Sequence, residues 1–206
     1  MGVLGRMGCQ VHLPPQFCCG LPQLSKGMTA AARRTVRRNL KSWCRLLSEV
    51  DYVAVTCSSC GYALMQDWSY LLDERQAAQV AAKTTHISHL IQTHGQALVP
   101  GPVPWTLAYH QPCHLRLQAQ AASSQRLLGS LPGARLLDLG SHCCGMAGSW
   151  GLLAENYALS TTIGSSMSQQ LEASGADIGV TDCPTCQMQM EHMSRRPVRH
   201  PVEIVW

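Results

Sequence analysis

Hydrophobic and polar positions follow two periods along this 206-residue chain. Short β-rich runs, DYVAVT at 51–56, WTLAYH at 105–110, ARLLDLG at 134–140 and DIGVTD at 177–182, predict strands. Helical stretches lie between them, at roughly 28–50, 61–72 and 76–94 in the first half and roughly 121–131, 152–174 and 185–194 in the second. Strands alternating with helices predict an α/β fold built on parallel sheets. The stretch GQALVPGPVPW at 95–105 carries three prolines and two glycines, which break any helix. A boundary near residue 100 follows, with one unit over 1–99 and another over 100–206.

Parallel sheets set their ligand sites outside the carboxyl ends of the strands. In this chain those places hold cysteine, because each predicted strand ends just before a cysteine motif. The chain has eleven cysteines and no export signal, so a reducing compartment is expected, where clustered thiols bind metal or do redox chemistry. Their spacing repeats. CCG at Cys18, Cys19 and Gly20 precedes CSSC at 57–60 with 36 residues between, and CCG at Cys143, Cys144 and Gly145 precedes CPTC at 183–186 with 37 between. The surroundings repeat as well, YVAVTCSSC against IGVTDCPTC and FCCGLPQ against HCCGMAG, which predicts two copies of one structural unit. Only the second copy has an upstream cysteine, Cys113, 29 residues ahead of Cys143, so the first copy reads as truncated.

The second set is therefore Cys113, Cys143, Cys144, Cys183 and Cys186. A structural zinc takes four ligands and has no use for a fifth or for an adjacent pair, whereas a polynuclear iron cluster uses both. The first set, Cys18, Cys19, Cys57 and Cys60, leaves zinc, a labile cluster and no metal all open. Cys9 is too near Cys18 to complete it, and Cys44 falls in a predicted helix. Helix N-termini expected after Cys60, Cys144 and Cys186 would favour thiolates, and Gly61, Gly145 and Gly148 would let the backbone approach closely. His110, His114 and His142 flank the second set and are expected to support it rather than to ligate.

Composition narrows the remaining classes. Apolar residues make up 46% and charged residues 14%, with one Phe, which fits a globular chain. The net charge of +4 gathers in RRTVRRNLKSWCR at 33–45, too local a footprint for nucleic acid. Arg33, Arg37, Lys41 and Arg45 recur every four residues there, opposite Val36, Leu40, Trp43 and Leu47, a pattern that suits an anionic membrane or a solvated face. No apolar run reaches the ~18–20 residues of a membrane span, and the N-terminus has neither a secretory nor a myristoylation pattern. No Ser-His-Asp group, carboxylate pair or dinucleotide fingerprint is present, so no catalytic residue is assigned.

These motifs resemble the cysteine-rich CCG domain family, found in pairs in heterodisulfide reductases, lactate-oxidation proteins and the cysteine-rich component of anaerobic glycerol-3-phosphate dehydrogenases. YHQPCH, SHCCGMAGSWG, ENYALSTTIG, SGADIGVTDCPTC and RHPVEIVW look like segments of the last branch in the same order, and CCGLPQLSKG and VTCSSCGYAL resemble its first repeat. The resemblance implies two tandem Rossmann-like domains, the first N-terminally truncated. It implies an electron-transfer subunit, cytoplasmic and peripheral on the inner face of the membrane, which takes electrons from a flavoprotein partner toward quinone. Carried over residue by residue, it also implies a noncubane [4Fe-4S] cluster on Cys113, Cys143, Cys144, Cys183 and Cys186. The branch's ferredoxin-type C-x-x-C-x-x-C motifs are not in this sequence, so it is expected to be the C-terminal part of a longer protein. A heterodisulfide reductase-like thiol–disulfide activity and a zinc-stabilised, redox-inert interaction module are the competing readings.

Overall fold

A computed structural model describes residues 2–72, 75–96, 98–140 and 142–206. Ala97 of the expected linker and Ser141 ahead of the second CCG lie outside the described residues.

All four predicted strands form: β1 (Val53–Val55), β3 (Thr106–His110), β4 (Arg135–Asp138) and β5 (Ile178–Thr181), joined by β2 (Thr84–His86) and β6 (Val198–Arg199). Pairing is parallel throughout, with β1 beside β2 in one sheet and the order β4-β3-β5-β6 in the other. The protein is thus a tandem α/β molecule with a cysteine unit built on each sheet.

Strand β2 corrects the expected continuous helix over 76–94. The helix Arg75–Lys83 stops, three residues pair with β1 in the register Val53↔Thr84 to Val55↔His86, and a new helix runs over Ile87–His94. Two successive β-branched threonines favour the extended form. Local bonds then fix the break: Lys83 Nζ donates to the carbonyls of Leu47 (2.7 Å) and Val50 (2.6 Å), and the His86 ring caps the following helix by accepting from Ser88 N.

The expected helix over 28–50 is also shorter. It spans Thr29–Trp43, followed by a 3-10 turn at Leu46–Ser48, so Arg45 falls outside it. Ala32, Val36 and Leu40, spaced by four, bury one stripe of that helix against Trp68, Leu71 and Val80. Arg33, Arg37, Lys41 and Arg45 are exposed, and Arg33 Nε donates to the Leu71 carbonyl at 3.0 Å.

In the second sheet alternation sorts the side chains into two cores. Leu107, Tyr109 and Val180 pack with Leu128 and Ile204 on one side. Ala108 faces the other side, where Met167, Leu171 and Met190 pack with Cys144, Cys183 and Cys186. No described helix is long and apolar enough to cross a membrane.

Candidate metal centre

The two CxxC motifs adopt one local geometry. Cys57 is the N-cap of the helix Ser58–Tyr62 at φ −104°, ψ 120°, and Cys183 is the N-cap of Pro184–Ser194 at φ −133°, ψ 119°. Each strand thus delivers its first cysteine in extended backbone and its second, Cys60 or Cys186, into the first helical turn. This corrects the expected helix starts after Cys60 and Cys186, which fall earlier, after Cys57 and Cys183. The expected start after Cys144 is corrected too: two 3-10 turns, Trp150–Leu152 and Ala154–Asn156, precede the helix Tyr157–Ala173. The GMAG stretch causes the delay, with Gly145, Ala147 and Gly148 all at positive φ.

The CCG turns also match. Gly20 and Gly145 both sit in the left-handed region, at φ 91° and 83°. Gly145 has a further constraint, since a Cβ there would stand 2.0 Å from the Ser160 carbonyl oxygen. Different props hold the two turns. The first is tied by Asn39, which donates to the Cys18 carbonyl (3.0 Å) and accepts from Phe17 N (2.8 Å), and by Trp68 Nε1, which donates to the Cys19 carbonyl at 2.8 Å. The second lies directly on the helix Tyr157–Ala173, where a Cβ on Gly164 would meet the Cys144 carbonyl at 2.7 Å.

The sulfurs form one file that crosses from unit to unit. Within it Cys60 lies near Cys19 and Cys57, Cys57 near Cys183, and Cys183 near Cys186, each close enough to shift the other's proton affinity, and the Cys186 thiol donates to Cys144 at 3.2 Å. Proton affinity varies along it. The bond from Cys60 lowers Cys19 to about 7, and the bonds from Cys186 and then Cys57 hold Cys183 well below the ordinary thiol range. Cys144 is lowered by its bond from Cys186. The proton-holding members rise: Cys57 to about 11 through its bond to Cys183, Cys60 through Cys19 and Cys57, and Cys186 through Cys144 and Cys183.

The structure therefore gathers Cys19, Cys57, Cys60, Cys144, Cys183 and Cys186, with Cys186 and Cys144 in direct contact. Cys113, the first residue of the helix Cys113–Arg116, is raised first by burial of its sulfur and then by the charges of Cys144 and Cys143. Cys143 Sγ accepts from Gly145 N at 3.4 Å. Cys113 and Cys143 are exposed while Cys144, Cys183 and Cys186 are buried, so the second set runs from the surface into the core. Cys18 is exposed and leans to Gln23 Oε1 at 3.8 Å. Cys44 donates to the Lys41 carbonyl, apart from the file. Five thiols at one sheet end exceed what a tetrahedral zinc takes and fit a polynuclear cluster.

The flanking histidines take three different positions. His114 bonds Ser59 Oγ at 2.9 Å and stacks on Tyr62, within the seam between the units. His142 is held by Ser166 Oγ at 3.1 Å and by Gln170. His110 is buried with Nδ1 unpartnered, and burial followed by the Arg116 charge pushes its pKa down to about 4.

Sequence reasoning missed the seam itself. Ser58 N donates to the Asp182 carbonyl (3.0 Å), and His200 Nε2 bonds the Thr56 carbonyl (2.7 Å), so the residue before each CxxC is bonded by the other unit. Asp182, adjacent to Cys183, also accepts from Tyr109 Oη and Ser124 Oγ, each at 2.6 Å. Its sequence signal is the charged residue in TDCPTC where the first copy has Thr56. His86, Asp182 and His200 lie close enough to suggest a cation site. Both rings, however, accept a backbone N–H at Nδ1, from Ser88 and Val202. Their protons then sit on Nε2, the nitrogen facing Asp182, which leaves no lone pair there for a metal.

Comparison with known proteins agrees with this architecture. The cysteine-rich CCG domain matches residues 1–65 and 107–191, and the chain belongs to that family. The chain is 33% identical to one of the subunits that make up the anaerobic glycerol-3-phosphate dehydrogenase of Escherichia coli K12, over 98% of this chain and 52% of that protein. It is 29% identical to an uncharacterised iron–sulfur protein of Methanocaldococcus jannaschii, over 94% of this chain and 37% of the other. It is 26% identical to one of the subunits that make up the dihydromethanophenazine:CoB–CoM heterodisulfide reductase of Methanosarcina barkeri, over 91% and 47%. The chain spans about half the length, or less, of these relatives.

Proposed function

We propose that this chain is an iron–sulfur electron-transfer module of an anaerobic glycerol-3-phosphate dehydrogenase complex, with units over 1–99 and 100–206. Cys113, Cys143, Cys144, Cys183 and Cys186 hold a [4Fe-4S] cluster of noncubane type. Cys18, Cys19, Cys57 and Cys60 offer a second and weaker position, suited to zinc because three of its thiols already converge. The observation that carries the reading is the packing of Cys144, Cys183 and Cys186 into one buried cluster, with Cys113 near enough to feel the charges of Cys144 and Cys143.

A cluster held by the second set would take up and release one electron at a time. The protein's own part is to hold the thiols as thiolates. The N–H of Met146 bonds Cys144 and the N–H of Cys186 bonds Cys183, both lowering the sulfur's proton affinity. Cys113 and Cys143 open the set to the surface, where a flavoprotein that oxidises glycerol 3-phosphate to dihydroxyacetone phosphate would dock to pass electrons on toward quinone.

The chain is cytoplasmic in this reading and meets the inner face of the membrane through Arg33, Arg37, Lys41 and Arg45, each contributing about 1 kcal/mol near an anionic surface. Cosedimentation with anionic vesicles should weaken with salt and with all four changed to Gln. Binding indifferent to both would remove the membrane role. For electron transfer, the test is to mix the reconstituted chain with the flavoprotein under anaerobic conditions. Glycerol 3-phosphate should then bleach the visible absorption. Unchanged absorption with an active flavoprotein would contradict the assignment, as would dye reduction by the chain alone.

A further inference from the structure

His110 and Thr181 are register partners on β3 and β5, at the carboxyl edge of the second sheet. Their neighbours establish which face they share. Tyr109 and Val180 pack into the core on one side, while Ala108 packs with Cys144, Cys183 and Cys186 on the other. Alternation therefore turns His110 and Thr181 toward the cysteine face. Both are 1% exposed, and each has a buried polar atom without a partner: His110 Nδ1 and Thr181 Oγ1. A buried polar atom left unpaired is costly, and two side by side at the end of one strand pair imply a shared acceptor.

We propose that His110 Nδ1–H and Thr181 Oγ1–H are hydrogen-bond donors to sulfur atoms of the cluster held by the second cysteine set, and that they raise its reduction potential. The inference rests on the reading that those five cysteines hold a cluster. Reduction adds negative charge, which a fixed donor stabilises more strongly than it does the oxidised state. His110 suits the task because it remains a neutral donor: burial and the nearby Arg116 charge disfavour a second ring proton. Thr181, in the strand that leads directly into Asp182 and Cys183, is fixed by its ladder to β3.

The test is spectroelectrochemical titration of the anaerobically reconstituted full chain, with iron assayed on every sample. Thr181→Val keeps the side-chain shape and removes the donor, and His110→Leu removes the ring donor. Each should shift the ratio of oxidised to reduced cluster at fixed poise about tenfold toward oxidised, a fall of ~59 mV for a one-electron couple, with iron content unchanged. Thr181→Ser and His110→Asn, which retain a donor near the same place, should stay at the wild-type potential. If His110→Leu cannot hold iron, the Thr181 pair decides. Wild-type potential in Thr181→Val with full iron overturns the inference and leaves the cluster reading standing. An iron-free wild-type chain overturns both.

Discussion

The two cysteine units share a backbone and differ in what surrounds it. Cys57 and Cys183 cap their helices in nearly the same conformation, and Gly20 and Gly145 turn in the same left-handed region. The first unit rests on a two-stranded sheet and ties its CCG turn with the side chains of Asn39 and Trp68. The second rests on four strands and seats its turn directly on a helix backbone. One motif can therefore be kept by quite different packing, and the more enclosed copy has the fifth cysteine and the buried donors.

The two units should differ most when one methyl group is added to each CCG turn. Gly145→Ala would force Cβ against the Ser160 carbonyl as well as into left-handed backbone, a cost of roughly 3–5 kcal/mol. Gly20→Ala meets nothing nearer than Val36 Cγ2 at 3.5 Å and should cost only the left-handed strain, about 1–2 kcal/mol. Urea midpoints of the two variants measure the gap, and equal losses would mean that the turns are equally crowded.

Acid should act on both units through buried imidazoles. The folded protein holds His110 down at about 4 and lowers His86 in the same direction, in each case first through burial. A depressed base stays neutral when folded and takes its proton when unfolded. Stability is therefore complete above about pH 6.5 and is lost as pH falls toward 4, by roughly 3 kcal/mol for His110. Urea titrations of the iron-free chain at about pH 7.5, above that window, and about pH 4.5, well into it, test this, and His110→Gln and His86→Gln report each unit's share. Acid sensitivity unchanged in both variants would remove the explanation.

A smaller effect separates the props. Asn39→Ala removes its two bonds to the first turn, leaving the Trp68 bond, and should cost about 2 kcal/mol while leaving iron in the second unit intact. Iron loss in that variant would show the two turns to be coupled through the sulfur file. Least of all, Arg199→Ala breaks an exposed pair with Glu191 at 3.6 Å, 46% and 40% accessible, and should cost less than about 1 kcal/mol by thermal denaturation.

The β-rich runs and the repeated cysteine spacing made the strands, the parallel pairing and the tandem copies legible in the sequence, because each is a local periodicity or a self-comparison. Strand β2 was hidden because Thr84–His86 interrupts an otherwise continuous amphipathic pattern, and only pairing with β1 gives those residues a reason to extend. The meeting of Cys57 and Cys183 was equally hidden. A repeat defines each unit but carries no information on how the two face one another. His110 could be seen as a neighbour of Cys113, yet its unpartnered nitrogen and its register with Thr181 exist only in three dimensions.

Whether the second cysteine set binds an iron–sulfur cluster is read from the iron and acid-labile sulfide content of the anaerobically reconstituted chain beside two single variants. Wild-type protein should be brown, Cys144→Ser, whose sulfur is buried against Cys186, should lose most of the iron and visible absorption, and Cys44→Ser, whose sulfur bonds a helix carbonyl, should lose none. A colourless protein that binds zinc, or equal iron loss from the two variants, would contradict cluster binding.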